Sequence, residues 1–324
     1  MLRRSKCGAW LLAACATLIL PGIAHAQQFP TRTLRMVVGF AAGGATDISA
    51  RALAQKLSET LGQQVIVDNR PGAASNLASE LVARSAPDGY TLLLANATIS
   101  MPSLFIKLPF DVQKELRPVS LAGYGPLALT AHPSLPVKSV KELIALAKRR
   151  PGELNYASAG SGSFTHLGMA LLVTMTETNI VHVPYKGGAP AAMATMTGET
   201  QLAFSSVGAS VPQVNSGRLR ALAVSGMRRN AALPDVPTVH EAGVTGYDAT
   251  SWYGLFAPAQ TPQAVVSRLS EQSVKALSDP VLKERLLSQG IEPALGGVDE
   301  FTRYLASEIP KWAKVIKAAA IPAQ

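Results

Sequence analysis

Apolar positions from Leu34 onward alternate between two patterns. Leu34 to Phe40 is a compact β-prone run that ends in Ala41-Ala42-Gly43-Gly44. From Asp47 the apolar residues Ile48, Leu53, Leu57 and Leu61 recur at helical spacing. The same unit follows again: a strand at Val65 to Asp68, a turn at Asn69-Arg70-Pro71-Gly72, a helix at Leu77 to Arg84 ending near Pro87-Asp88-Gly89, and a strand at Thr91 to Ala95. Strands and helices alternating at these lengths predict a parallel, doubly wound α/β sheet.

A second series starts at Leu127. Strands are expected at Leu127 to Ala131, Leu154 to Ala157, Ile180 to Pro184, Leu202 to Ser205 and Leu219 to Ser225. Helices are expected at Ser139 to Arg149, Thr165 to Met175 and Ala189 to Thr197, the last with Pro190 in its first turn, where proline is tolerated. Trp252 to Ala257 reads as one more strand, and the chain from Pro262 to its end reads as mostly helical. No repeat, low-complexity tract or long linker separates the two series, so the second sheet is expected to be inserted in the first, with the chain crossing between them more than once.

The first residues follow neither pattern. Arg3, Arg4 and Lys6 precede an apolar run from Ala9 to Ile23, and Ala24-His25-Ala26 forms a small-x-small site before Gln27. This is the layout of a cleaved signal peptide over residues 1–26. Leu12-Ala13-Ala14-Cys15 also has the form of a lipobox, which would leave a lipid-anchored protein instead. Both cysteines, Cys7 and Cys15, lie in this leader, so a mature chain starting at Gln27 has no disulfide, thiolate nucleophile or cysteine metal site.

Composition then narrows the class. With 324 residues, 48% hydrophobic and 16% charged, the chain is neither disordered nor collagen-like. The formal charge of +9 falls to about +6 once Arg3, Arg4 and Lys6 are removed. The remaining basic residues are scattered, as in Lys148-Arg149-Arg150 and Lys311, Lys314, Lys317, with no aromatic-interleaved stripe of the kind that binds nucleic acid. A modest positive field of this kind favours small anions.

Two strand, glycine-loop, helix units carry the chemistry, at Gly39 to Asp47 and at Ala157 to Thr165. A helix N-terminus offers unpaired N–H groups and the positive end of the helix dipole, so it binds carboxylate or phosphate. Glycine lets the backbone approach such a ligand closely. The same glycines also suit tight turns alone, and spacing does not choose between the two. Neither loop is a nucleotide motif: G-x-x-x-x-G-K-[ST] is absent, and Gly123-Tyr124-Gly125 precedes a strand instead of following one. Ser161, in Ala159-Gly160-Ser161-Gly162-Ser163, is not in a G-x-S-x-G elbow. His132, His166, His182 and His240 lack the paired spacing of a metal helix, so no metal or cofactor is expected. An exported α/β hydrolase using Ser161 or Ser163 with His166 is the competing reading.

From just after the leader to the last helix, the chain resembles the substrate-binding proteins of tripartite tricarboxylate transporters, the Bug receptor family. The resemblance rests on Phe40-Ala41-Ala42-Gly43-Gly44-Ala45-Thr46-Asp47, Asn69-Arg70-Pro71-Gly72-Ala73, Ala86-Pro87-Asp88-Gly89-Tyr90-Thr91-Leu92, Ala157-Ser158-Ala159-Gly160-Ser161-Gly162 and His182-Val183-Pro184-Tyr185-Lys186-Gly187. It continues through Gly217 to Val224, Leu233 to Thr238 and Trp252 to Pro258. It implies a two-lobed periplasmic binding protein fold of type II, with residues 27–125 and 254–324 forming one lobe and 126–253 the other. It also implies a monomeric, non-enzymatic receptor, without cofactor, that closes on a small organic carboxylate, a di- or tricarboxylate or an aromatic one, and delivers it to membrane permease subunits.

Carried over by position, Phe40 would pack on the ligand, Gly43, Gly44, Ala45 and Thr46 would supply amides and a hydroxyl, and Asp47 would cap the helix or orient waters. Asn96, Ala97 and Thr98 would line the first lobe; Ser161, Gly162, Ser163, Thr165, His166 and Tyr185 would close from the second. Three departures bear on the ligand. Ala42 stands where the family usually has proline. Ser205 and Ser206 follow Phe204 where it often has Asp-Asn, which removes a partner for a ligand ammonium. Phe164 stands where small polar residues are common, so it either shapes the pocket for an alkyl or aromatic chain or belongs to the core.

Overall fold

A computed structural model describes residues 29–100 and 110–318. The expected leader, with its expected cleavage site and Cys15, lies outside the described residues. In chain order the elements are β1 (Leu34–Val38), α1 (Ala45–Leu61), β2 (Val65–Asn69), α2 (Asn76–Ala83), β3 (Thr91–Asn96), α3 (Val112–Glu115), β4 (Leu116–Ala131), α4 (Val140–Arg149), β5 (Asn155–Ser158), α5 (Phe164–Thr176), β6 (Val181–Pro184) and α6 (Gly188–Met196). They continue as β7 (Leu202–Ser206), α7 (Val207–Asn215), β8 (Arg220–Val224), β9 (Thr250–Pro258), α8 (Gln263–Leu277), α9 (Pro280–Ser288), β10 (Glu292–Gly296) and α10 (Val298–Ala318).

The strands follow the order β2-β1-β3-β9-β4-β7-β5-β6, with β10 and β8 also paired to β4. β1 is parallel to β2 and β3, and β5 is parallel to β6 and β7, as helical crossovers require. Every pairing of β4, and that of β9 with β3, is antiparallel. The fold is therefore a mixed α/β sheet, with two parallel blocks joined by antiparallel strands, where the alternating pattern predicts two parallel sheets.

The joint is β4. Its first half, from Leu116 to Pro126, pairs with β9, and its second half, from Leu127 to Ala131, pairs with β7 and β8. The pattern places a strand only in the second half, because Pro118, Gly123, Gly125 and Pro126 read as turn residues. The strand accommodates them through register shifts between Pro118 and Ser120 and between Leu121 and Gly123. From Pro262 onward the described chain is mostly helical, as expected, with one strand, β10, whose Glu292 and Pro293 pair with Tyr124 and Gly123.

Core side chains alternate across the first block. Met36, Val38, Leu92 and Leu94 pack with Leu53 and Leu57 of α1 and Val266 and Leu269 of α8. Val37 and Leu93 face the other layer, with Ala78 and Val82 of α2 and Phe301 of α10. Both faces of the block are covered, which is why these strands are apolar at nearly every position. α10 also reaches the second block. Phe301 packs on Trp252 and Phe256 of β9, with ring centroids 5.3 and 5.0 Å away, and Trp312 meets Phe164 of α5 edge-on at 5.0 Å. Helix α10 thus stands behind the wall of the cleft described next.

Candidate functional site

A cavity of about 100 Å³ lies between the two blocks. Eleven of the seventeen residues singled out by sequence line it: Phe40, Gly43, Gly44, Ala45, Thr46, Asn96, Thr98, Ser163, Thr165, Ser205 and Ser206. The other six, Asp47, Ala97, Ser161, Gly162, His166 and Tyr185, do not.

Asp47 sits behind its loop. Its carboxylate accepts the Gly43 N–H at 2.9 Å, the Asn69 Nδ2 at 2.9 Å and the Arg51 guanidinium at 3.0 Å. Burial works against ionisation here, but Arg51, Gly43 and Asn69 together hold the carboxyl below its ordinary pKa. Asn69 also donates to the Phe40 carbonyl at 3.0 Å, so this residue, read in sequence as part of a turn, braces both ends of the loop. Gly43 has φ +83°, a conformation that side chains other than glycine's adopt at a strain. Asn96 donates to Thr46 Oγ1 at 3.1 Å and accepts the Thr98 N–H at 3.1 Å, while the Ala97 side chain is buried in the core.

On the facing loop, Ser163 caps α5 by accepting the His166 N–H, and Thr165 Oγ1 accepts the Ala159 N–H at 2.9 Å. Ser161, Gly162 and His166 do not line the cavity. His166 Nδ1 accepts the Gly162 N–H at 3.0 Å, and its ring stacks on His182 with centroids 3.9 Å apart and planes 4° apart. His182 in turn contacts Ser158 Oγ through Nε2 at 2.6 Å. Burial, and for His166 also the neighbouring His182, lowers the pKa values to about 3 for His166 and about 4 for His182, so both rings are neutral. Neither Ser161 nor Ser163 hydrogen-bonds the His166 ring, so the serine–histidine pair of the hydrolase reading does not form among the described residues. The Tyr185 hydroxyl donates to Glu199 at 2.7 Å, and burial with that carboxylate pushes its pKa up to about 12.

The cavity is completed by residues that the pattern does not single out: Leu127, Ala159, Gly188, Ala189, Ala209, Ser251 and Tyr253, with Phe164 as well. Phe164 meets both earlier alternatives, since it is 2% exposed, packs on Trp312 and still borders the cavity. Gly187-Gly188 ahead of Pro190 is a signal that could have identified the α6 end. Ser251 and Tyr253 carry no local signal, because they reach the site through the pairing of β9 with β4.

Four helices, α1, α5, α6 and α7, present their N-terminal residues to this one cavity. Elsewhere Ser139 caps α4 and Asp279 caps α9, whereas α2 and α8 have no side-chain cap. α1, α6 and α7 have no side-chain cap. Among the described residues, the lining includes no Asp, Glu, Lys, Arg or His. Positive potential therefore comes from helix dipoles, each equivalent to roughly half a unit charge, and from N–H and O–H donors. Such a site attracts an anion without an ion pair.

The description "Tripartite tricarboxylate transporter family receptor" belongs to the family model that matches residues 49–321. Among solved structures, Rpa4515 of R. palustris with adipate is 37% identical, covering 91% of this chain and 99% of its own, with a TM-score of 0.88. The periplasmic binding protein BugD is 33% identical, covering 91% and 100%, with a TM-score of 0.87. MatC from Rhodopseudomonas palustris with bound malate is 32% identical, covering 89% and 100%, with a TM-score of 0.84. The mixed α/β fold is thus that of a two-lobed periplasmic binding protein, and the chain belongs to the tripartite tricarboxylate transporter receptor family.

Proposed function

We propose that the protein is an exported receptor that captures a small organic carboxylate between its two lobes and delivers it to the permease subunits of a tripartite transporter. The observation that carries this reading is the meeting of four helix N-termini, three without a side-chain cap, around a cavity lined by no charged side chain among the described residues. A carboxylate there gains hydrogen bonds from both sides of the cleft, so it favours the closed arrangement of the lobes over the open one. The adipate and malate bound by the two related proteins are solutes of this class.

In this reading residues 27–125 and 254–324 form one lobe and 126–253 the other, with β4 and β9 as the connecting strands. The eleven sequence-predicted residues on the cavity bind the ligand. Asp47 and His166 act from behind, by holding Gly43 and Gly162 in place. Binding involves no covalent step, the signal peptide ends near Ala26, and the receptor works as a monomer.

The test is a thermal-shift and calorimetry series with succinate, malate, adipate, citrate and terephthalate at millimolar concentration. A ligand present at 100 times its Kd stabilises the native state by about 2.7 kcal/mol. At least one carboxylate is expected to raise Tm and give a saturable heat; the absence of any such effect overturns the reading.

A further inference from the structure

Away from the cavity, the two lobes also meet where α7 begins. Gly208, its second residue, donates its N–H to the carbonyl of Gln289, in the turn between α9 and β10, at 3.0 Å. Asn230, a buried residue, donates from Nδ2 to the Gly290 carbonyl of the same turn at 3.0 Å and accepts the Ala232 N–H of its own segment at 3.0 Å. The fit is one of backbone against backbone. A β-carbon on Gly208 would lie 2.7 Å from Gln289 Cα, and one on Gly290, whose φ is +70°, would lie 2.5 Å from Cβ of the buried Val207. Only glycine allows so close an approach at these two positions.

Strand register puts this contact beside the strand that joins the lobes. β10 begins opposite Tyr124 of β4 and β7 ends opposite Leu127, and between them a β-carbon on Gly125 would lie 3.6 Å from the Gly290 carbonyl oxygen. When two lobes rotate as rigid bodies, displacement grows with distance from the axis, and the crossing strands β4 and β9 lie on it. The contact of Gly208 with Gln289 therefore moves little on closure. The loops before α1 and α6 approach each other at Ala41 and Gly187, but β1 is two strands away from β9 and β6 three away from β4, so these loops move far. Gly208, Asn230, Gln289 and Gly290 do not line the cavity, whereas Ser206 and Ala209 at the same helix end do. The turn thus sets where the cavity face of α7 stands relative to the first lobe.

We propose that the turn between α9 and β10 is the seat on which the second lobe turns, with Asn230 as the positioning residue that holds the α7 end on it. The inference rests on the receptor reading and its lobe boundaries, and it adds the place about which closure occurs. It is tested on the full mature chain with succinate, malate, adipate, citrate and terephthalate, by calorimetry and by amide hydrogen exchange followed by NMR. A carboxylate that binds is expected to slow exchange at Gly44 and Gly188 and to leave Gly208 equally protected with and without it. Asn230→Ala is expected to weaken every carboxylate that the wild type binds by the same factor, about tenfold, because a lost seat lowers the share of molecules able to close and removes no ligand contact. Exchange at Gly208 that slows as much as at Gly44 makes the contact part of the closing surface and overturns the inference. So does an Asn230→Ala variant with lowered Tm and wild-type affinity, since Asn230 then serves only its local turn. Both outcomes leave the receptor reading intact, whereas binding of none of the carboxylates overturns that reading and this inference with it. The exchange measurement on the wild type decides the matter even if the variant does not fold.

Discussion

Thr98 Oγ1 accepts the backbone N–H of Phe164 at 3.1 Å, a buried hydrogen bond between the turn that follows β3 and the first residue of α5. It joins the two sides of the cleft beside the cavity, and it occupies an amide that the helix itself leaves without a partner. Thr98→Val keeps the shape and removes the acceptor, leaving a buried N–H unpaired. The expected loss is about 1–3 kcal/mol in urea unfolding, with recovery in Thr98→Ser. A carboxylate that raises Tm in the wild type is expected to bind Thr98→Val more weakly, as measured by calorimetry. Full stability and affinity in the valine variant would show that the bond contributes nothing to joining the sides.

The stacked histidines make stability depend on pH in a defined direction. In the folded protein His166 and His182 stay neutral down to about pH 3 and 4, whereas in the unfolded chain they take up protons below about 6.5. The unfolded state thus binds more protons between these limits. The stabilisation is complete above about pH 6.5, falls as pH drops through the window, and levels off once the folded rings are protonated. Each histidine contributes a slope of about 1.4 kcal/mol per pH unit within its window. Urea unfolding at pH 7, 6 and 5 is expected to show this decline and a shallower one in His182→Gln. An unchanged slope in the variant would remove His182 as a source of the effect.

Behind the first loop the backbone is strained. Ala73, Ala74 and Ser75 have φ values of 45°, 50° and 75°, three consecutive left-handed residues that are not glycine. Each such residue costs roughly 1–2 kcal/mol relative to the right-handed region. Ala74→Gly is expected to raise stability by about 0.5–1 kcal/mol in thermal or urea unfolding, the relief being offset in part by the greater freedom of glycine in the unfolded chain. Gly39→Ala is expected to act in the opposite direction, because its new methyl group would collide with Ser75, whose Cα would lie 2.7 Å away. That collision displaces Phe40 as well, so the variant is expected to lose ligand affinity along with stability. A lower Tm for Ala74→Gly would show that the segment is not strained in solution.

Much of the molecule follows from local pattern. Alternation of β-prone runs with helical spacing is enough to place β1, α1, β2 and β3, because each is a short element whose apolar residues have one period. The loop from Phe40 to Thr46 is recognisable for the same reason, since a glycine pair between a strand and a helix has few conformations open to it. Both cysteines, Cys7 and Cys15, precede Gln27, so the chain from Gln27 onward has no thiol, which follows from the order of residues alone.

Tertiary structure decided what depended on partners distant in sequence. β4 is a single sixteen-residue strand only because β9, β7, β8 and β10 pair along it, and those pairings override the prolines and glycines that break its local pattern. Ser251 and Tyr253 reach the cavity through that register, which no local window contains. His166 follows the Ser/Gly loop in sequence, yet it does not line the cavity: its ring stacks on His182 and accepts the Gly162 N–H. Periodicity records how each residue relates to its own element, whereas the direction a side chain takes depends on which distant element packs against it.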